Sequence, residues 1–167
     1  TQGMLMLTTT FDCETPEGQK YIEHEEITSE RIGRAKNYHP FHFGTGSRVD
    51  RLYYDDDAKV RALCEIRSRN KSLEDLRKYE SVLCNRKKLD EGAQAARLFN
   101  VDFYLFIRTL KDDQIIYCKI ADKNGDLAVD FVTKTQMMQK SCNGGLEEKE
   151  IAYIDIGQWK KLKEHRN

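Results

Sequence analysis

No run of apolar residues in this chain is longer than a few positions, and this limits what the chain can form. The longest runs, such as Phe103 to Ile107, have the length of a β-strand. A membrane-spanning helix needs about 20 consecutive apolar residues, and the apolar part of a secretory signal needs about 7–15. We therefore expect neither a membrane span nor a signal peptide.

The length and composition favour one compact domain. The chain has 167 residues, of which 39% are hydrophobic and 10% aromatic, which is enough material for a single core. No internal repeat and no change of composition divides the sequence. We expect one domain at 1–167, in which residues 1–15 form an N-terminal arm or an extra strand.

The charges of the chain balance, with 28 basic against 28 acidic residues. A generally basic chain is the usual sign of nucleic-acid binding, and that sign is absent here. Any surface that binds phosphate must therefore be a local patch of basic residues.

The cysteines indicate a reducing compartment. They are odd in number and widely spaced, and no two of them form a CxxC pair, which argues against a disulfide framework and a zinc site. Their positions are Cys13, Cys64, Cys84, Cys118 and Cys142. We expect them to remain thiols in a cytoplasmic protein.

Helix signals occur in three places. The first follows Thr15, with Pro at the first helical position and an acid in the first turn; the second follows Ser72, with Asp75 three residues later. The three predicted helices are 16–35, 72–99 with a break near Asn85, and a short one at 158–164.

Strand signals occur in segments rich in β-branched and aromatic residues. The predicted strands are 48–54, 59–66, 101–107, 114–120 and 151–156. The first two form a β-hairpin and the next two a second pair, whereas 37–44 is a loop or an irregular strand. Turns are expected at Asn124-Gly125 and at 143–145. The order predicts an α/β (α+β) domain with a mixed central sheet flanked by helices.

The hairpin carries the residues with the most informative chemistry. Asp50 lies on its first strand, and Glu65 and Arg67 share one face of its second strand because side chains alternate along a strand. If Asp50 and Glu65 lie at the same end of that face, their carboxylates converge with the carbonyl of Ile66. Such an all-oxygen cluster suits Mg²⁺ or Mn²⁺, which acidifies a bound water and stabilises charge on a phosphoryl group.

These residues resemble the PD-(D/E)xK superfamily of restriction-endonuclease-like nucleases, in particular its small stand-alone members from phage or environmental sources. The matching segments are DRL (50–52), LCEIRSRN (63–70), KL (88–89) and EGAQAARLFNVDFYLFIR (91–108). The resemblance spans roughly 17–156 and is sharp only over 49–108. It implies a restriction-endonuclease-like fold, in which the helix and strand of the last segment flank the active site.

The resemblance also implies roles for individual residues. Asp50 and Glu65 would hold the metal together with the Ile66 carbonyl, and position 67 would carry the catalytic cation. The superfamily usually has Lys where this chain has Arg67, and a guanidinium does not give up its proton, so it stabilises charge but is no general base. Lys88 on the following helix is the second candidate for the catalytic cation.

Two further side chains are expected near this cleft. The N-terminal helix of the superfamily normally offers another acidic residue, for which Glu26 is the first choice and Glu23 the second. Gln94 is expected to face the same cleft from the second helix.

Basic residues cluster close to the proposed site in the sequence. Contacts from them to phosphate would give salt-sensitive affinity that is largely independent of base sequence. The predicted nucleic-acid-binding residues are Arg69, Lys71, Arg86, Lys87 and Gln94. Lys160, Lys161 and Lys163 are expected to form only a solvated helix face.

The leading hypothesis is a Mg²⁺- or Mn²⁺-dependent phosphodiesterase, an endo- or exonuclease, that cleaves nucleic acid. DNA is favoured by analogy, and the superfamily's frequent homodimerisation makes a homodimer an open alternative. The rival hypothesis is a nuclease-fold protein without catalysis that binds nucleic acid or a protein partner, motivated by Arg67. A third hypothesis is a purely structural accessory or assembly protein, in which Asp50 and Glu65 are a fortuitous pair that lie far apart. No Walker loop, HExxH or GxSxG motif favours another hydrolase class.

Overall fold

The computed structural model of the chain describes residues 16–44, 47–139 and 145–165. The helices are α1 (Pro16–Lys36), α2 (Leu73–Lys78) and α3 (Arg86–Phe99), with a short 3-10 turn at Ile156–Gln158. The strands are β1 (His39–His42), β2 (Arg51–Tyr54), β3 (Val60–Arg69), β4 (Ser81–Asn85), β5 (Asp102–Thr109), β6 (Gln114–Ala121), β7 (Val132–Gln139), β8 (Leu146–Asp155) and β9 (Lys160–Lys161).

Within the described ranges, the main sheet has six strands in the order β1-β2-β3-β5-β6-β9. Only β3 and β5 run parallel, with Glu65 opposite Leu105, and every other pair is antiparallel. A parallel pair needs a crossover connection, which α2, β4 and α3 supply. The mixed central sheet predicted from the sequence is confirmed.

The two long helices pack on opposite faces of this sheet. Ile32 of α1 belongs to a core cluster with Tyr53, Cys64 and Ile66. Leu89, Ala93 and Ala96 of α3 belong to another cluster with Leu63, Phe103 and Leu105. Because side chains of β3 alternate, Leu63 and Glu65 face α3 whereas Cys64 and Ile66 face α1.

A second, three-stranded sheet has the antiparallel order β4-β8-β7. Val82 of β4 packs with Leu76 of α2 against Ile107 and Ile116 of the main sheet, and this contact fixes β4 to that sheet. This small sheet therefore lies beside the end of β3 at which Arg67 and Arg69 are found.

Several sequence predictions of elements are confirmed and others are wrong. The helix 16–35 and the two strand pairs are confirmed, although β2 begins at Arg51, so that Asp50 precedes the first strand and does not lie on it. The turn at Asn124-Gly125 is present with Gly125 at φ +83. The long helix 72–99 is wrong, because Tyr79 caps α2, Glu80 takes a left-handed conformation (φ 65) and 81–85 pairs with β8.

The terminal helix predicted at 158–164 is also wrong. Strand β9 pairs with β6 there, and Leu162 donates its N–H to the carbonyl of Ile115. Strand β7 was not predicted, the segment 37–44 contains the edge strand β1, and β8 is longer than predicted. Residues 1–15 and the turn at 143–144 lie outside the described ranges. Among the helices within those ranges, none is long and apolar enough to cross a membrane.

Gly92 tests the packing of α3 on the sheet. A Cβ added there would overlap the ring of Phe103, which is 1% exposed. Overpacking costs about 1–3 kcal/mol and the gain in helix propensity is about 1 kcal/mol. Because the added Cβ would overlap three atoms of a buried ring, the cost should lie in the upper part of this range, at about 2–3 kcal/mol. We therefore expect Gly92→Ala to lower the free energy of unfolding in urea by about 1–2 kcal/mol.

The exposed Gln94 on the same helix provides the control, since Gln94→Ala should change stability by less than about 0.5 kcal/mol. Equal stability of Gly92→Ala and the wild type would show that α3 does not approach Phe103 as closely as described.

Candidate functional site

Asp50 is held at the start of the hairpin by two backbone contacts. Its N–H donates to the carbonyl of Cys64 over 3.2 Å, and its Oδ2 accepts from the N–H of Ile66 over 2.8 Å. Both partners are on β3, so the Asp50 carboxylate is fixed beside the middle of that strand. Its side chain is 21% exposed, which leaves it accessible to a ligand.

Glu65 is buried on the face of β3 that packs against α3. Its Oε2 accepts from Arg67 Nη2 over 2.8 Å and lies 3.8 Å from Lys88 Nζ. Its Oε1 is fully buried, and no hydrogen-bond donor reaches it within the described part of the chain. A buried carboxylate oxygen without a donor is costly, so Glu65 favours a proton or a further cation at this atom.

Burial raises the pKa of Glu65 from 4.5 to about 8. The charge of Asp50 acts in the same direction, whereas Arg67 and Lys88 oppose it. When protonated, Glu65 is close enough to Asp50 to share a hydrogen bond with it. The two carboxylates therefore repel each other when both are ionised, which favours a proton or a cation between them.

The Arg67 guanidinium supplies positive charge at this point. Its Nη1 donates to the Ile66 carbonyl over 3.0 Å and to Asp50 Oδ2 over 3.4 Å, while Nη2 binds Glu65. Nη1 also lies 3.4 Å from the hydroxyl of Tyr21. The three groups predicted to hold a metal therefore converge, and in this structure the cation on which they converge is Arg67.

The donor set fits a hard divalent cation. It consists of two carboxylates and one carbonyl, and Mg²⁺ is commonly bound through a few protein oxygens while it keeps several waters. No group of three or more His, Cys, Asp or Glu side chains suited to a metal occurs among the described residues, so the set depends on the Ile66 carbonyl. A metal at the common point requires the Arg67 side chain, which is 27% exposed, to turn outward.

Lys88 borders a small cavity next to Glu65. The cavity has about 60 Å³ and is also lined by Arg67, Arg69, Cys84 and Asn85. A volume of this size holds a few water molecules. The structure thus brings Lys88 to the site as the sequence predicted, with its ammonium on the α3 side of the Glu65 carboxylate.

The N-terminal acidic residue at the site is Glu25 and not Glu26 or Glu23. Glu26 is half-exposed and binds the Arg51 guanidinium over 2.6 Å. Arg51 faces α1 because it pairs with Cys64 in the sheet, and its Nε donates to the hydroxyl of Ser29 on α1. Glu25 also binds Arg51, over 3.0 Å, but it is largely buried and feels the charge of Asp50.

Burial and the charge of Asp50 together raise the pKa of Glu25 to about 7, against the opposing charges of Arg51 and Arg67. Tyr21 lies one helical turn before Glu25, so both reach the end of the sheet. In the sequence, this inner face of α1 is marked by residues spaced three or four apart, namely Gly18, Tyr21, Glu25 and Ser29. The prediction instead relied on the positions of Ile22 and Ile27.

The predicted nucleic-acid-binding residues do not form one surface. Arg69 lines the cavity, and with Lys71 it lines a neighbouring groove. Arg86 binds Asp90 over 3.1 Å, lies over the ring of Phe131 and lines neither the cavity nor the groove.

The other two predicted residues are exposed on α3 and line neither the cavity nor the groove. Lys87 lies in the first turn. Gln94 lies about 240° around the helix from Lys88, which explains why it does not face the cleft as predicted.

No known family model matches this chain, and no curated protein or solved structure shows significant similarity to it.

The raised pKa of Glu65 predicts that stability depends on pH. The folded state binds a proton that the unfolded state releases between pH 4.5 and about 8, so the free energy of unfolding should fall as the pH rises through this window. One such proton contributes a slope of at most about 1.4 kcal/mol per pH unit. Glu65→Gln, which does not titrate, should flatten the profile.

The measurement is urea unfolding at a series of pH values with EDTA present. Parallel pH profiles for the wild type and Glu65→Gln would contradict the assigned protonation of Glu65.

Proposed function

We propose that this protein is a metal-dependent phosphodiesterase that cleaves nucleic acid, with DNA favoured by analogy. The observation that carries the proposal is the convergence of Asp50, Glu65 and the Ile66 carbonyl on one cation position. The buried Oε1 of Glu65 supports it, because within the described residues no donor reaches this atom, while Arg67 and Lys88 both approach Oε2.

The chain's own residues would divide the work as follows. Asp50, Glu65 and the Ile66 carbonyl would hold a divalent ion, which when bound acidifies a water and stabilises charge on the phosphoryl group. Arg67, turned out of the ion's position, would bind the phosphate oxygens through its planar fork. Lys88 would stabilise the negative charge that develops when water attacks phosphorus and the bond to the leaving oxygen breaks.

The order of elements supports a restriction-endonuclease-like fold as part of this proposal. The resemblance implies an N-terminal helix with an acid, a hairpin with Asp and Glu, and a helix and core strand beside the active site. The chain has α1 with Glu25, the β2–β3 hairpin, and α3 followed by β5 along β3.

A second candidate function rests on the position of Arg67. Its guanidinium is bound by the three groups that would ligate a metal, so it neutralises the carboxylates without one. A nuclease-fold protein that had lost catalysis would keep such an arrangement and bind nucleic acid only. Metal-dependent cleavage separates the two functions.

The cleavage test compares the wild type with Glu65→Gln, which keeps the volume of the side chain and removes its charge. We expect Mg²⁺-dependent cleavage of labelled single- or double-stranded DNA by the wild type, and a loss of about 100-fold or more in the variant. Asp57→Asn, at the exposed tip of the same hairpin, should cleave at the wild-type rate.

Equal cleavage by the wild type and Glu65→Gln would overturn the proposal, because the activity would then come from a contaminant or another site. No cleavage by any of the three proteins, with DNA binding retained, would establish the second candidate function.

A further inference from the structure

A groove of about 680 Å³ opens next to the candidate site, between the end of β3 and the second sheet. It shares Arg67, Arg69, Cys84 and Asn85 with the small cavity beside Glu65. The groove and the cavity are therefore adjacent, and a chain lying in the groove would pass beside the cavity that Glu65 and Lys88 line.

The charge of the groove suits a polyanion. Its described lining includes Arg67, Arg69, Lys71 and Lys149 and no carboxylate, although the whole chain has equal numbers of acids and bases. Lys149 is paired with Glu147 over 3.1 Å, and Arg67 with the site carboxylates. Among the described residues, Arg69 and Lys71 form no ion pair with a carboxylate, which leaves their charges for phosphate.

Two aromatic rings border the same groove. Tyr79, at the end of α2, is 62% exposed, and Lys71 Nζ lies 5.0 Å from its ring centroid. Tyr153 on β8 has Lys134 Nζ at 4.8 Å from its ring centroid. Tyr79 is exposed and Tyr153 is half-buried. Aromatic rings that border a basic groove are a usual platform on which nucleobases stack, while the neighbouring cations hold the backbone.

We propose that this groove binds single-stranded nucleic acid, with phosphates on Arg69 and Lys71 and bases on Tyr79 and Tyr153. A duplex keeps its base faces stacked inside the helix, so these rings favour an unpaired strand. Binding in the groove requires no metal. The inference rests on the proposed function only in that the bound strand would be cleaved beside Glu65.

The test is fluorescence anisotropy with a labelled oligothymidylate of about 12 nucleotides, in EDTA so that nothing is cleaved. We expect Tyr79→Ala and Tyr153→Ala each to weaken binding about tenfold and Tyr153→Phe to bind like the wild type. Arg69→Gln should lower the dependence of log K on log salt by about 0.7. A duplex of the same length should bind more weakly than the single strand.

Phe41→Ala is the matched control, because Phe41 is an exposed aromatic on the edge strand β1, which is outside the groove. Equal affinity for single strand and duplex, or wild-type affinity of both Tyr→Ala variants with native circular dichroism, would overturn the inference. Loss of binding in Phe41→Ala alone would also overturn it, since stacking would then occur on β1.

Metal-dependent cleavage by the wild type separates this inference from the proposed function. If the two Tyr→Ala variants bind the oligonucleotide more weakly, as expected, but the wild type shows no cleavage with Mg²⁺, the groove inference holds and the phosphodiesterase proposal fails. If the wild type cleaves while the Tyr variants bind normally, the reverse is true.

Discussion

The buried carboxylate of Glu65 is the constraint on which the arrangement of the site depends. It lies in the middle of β3, between the parallel neighbour β5 and the helix α3, where an uncompensated charge is costly. Arg67 and Lys88 compensate Glu65 Oε2, and Asp50 adds a second negative charge at the same point. The charge of the buried Glu65 is thus compensated by the Arg67 guanidinium. A divalent ion would compete with Arg67 for this position beside the carboxylates.

The sequence predicted this cluster because it depends on short-range rules. The alternation of a strand places Glu65 and Arg67 on one face, and the hairpin brings Asp50 beside them. Glu25 was missed because α1 has few buried apolar residues, so Ile22 and Ile27 misled the choice of its inner face, and Ile27 is in fact 37% exposed. Which acid an amphipathic helix turns inward is decided by long-range packing, here by Arg51.

The second sheet could not be predicted, for a related reason. The segment 81–85 lies between two helical segments and becomes a strand only because β8, far along the chain, pairs with it. Its position gives the site a second wall, with Tyr79 and Tyr153 beside Arg69 and Lys71. The balanced total charge therefore conceals a separation. Acidic side chains gather around Arg67, whereas the groove is lined by Arg69 and Lys71, which form no ion pair with a carboxylate among the described residues.

The central claim is that Asp50, Glu65 and the Ile66 carbonyl form one cation position that Arg67 and a divalent ion share. Calorimetric titration of Mn²⁺ into the wild type, Arg67→Ala and Asp50→Asn tests it most directly. We predict one ion per chain, bound more tightly by Arg67→Ala, in which no guanidinium has to be displaced, and not bound by Asp50→Asn. Mn²⁺ binding that is the same in all three proteins, or absent from both the wild type and Arg67→Ala, would contradict the claim.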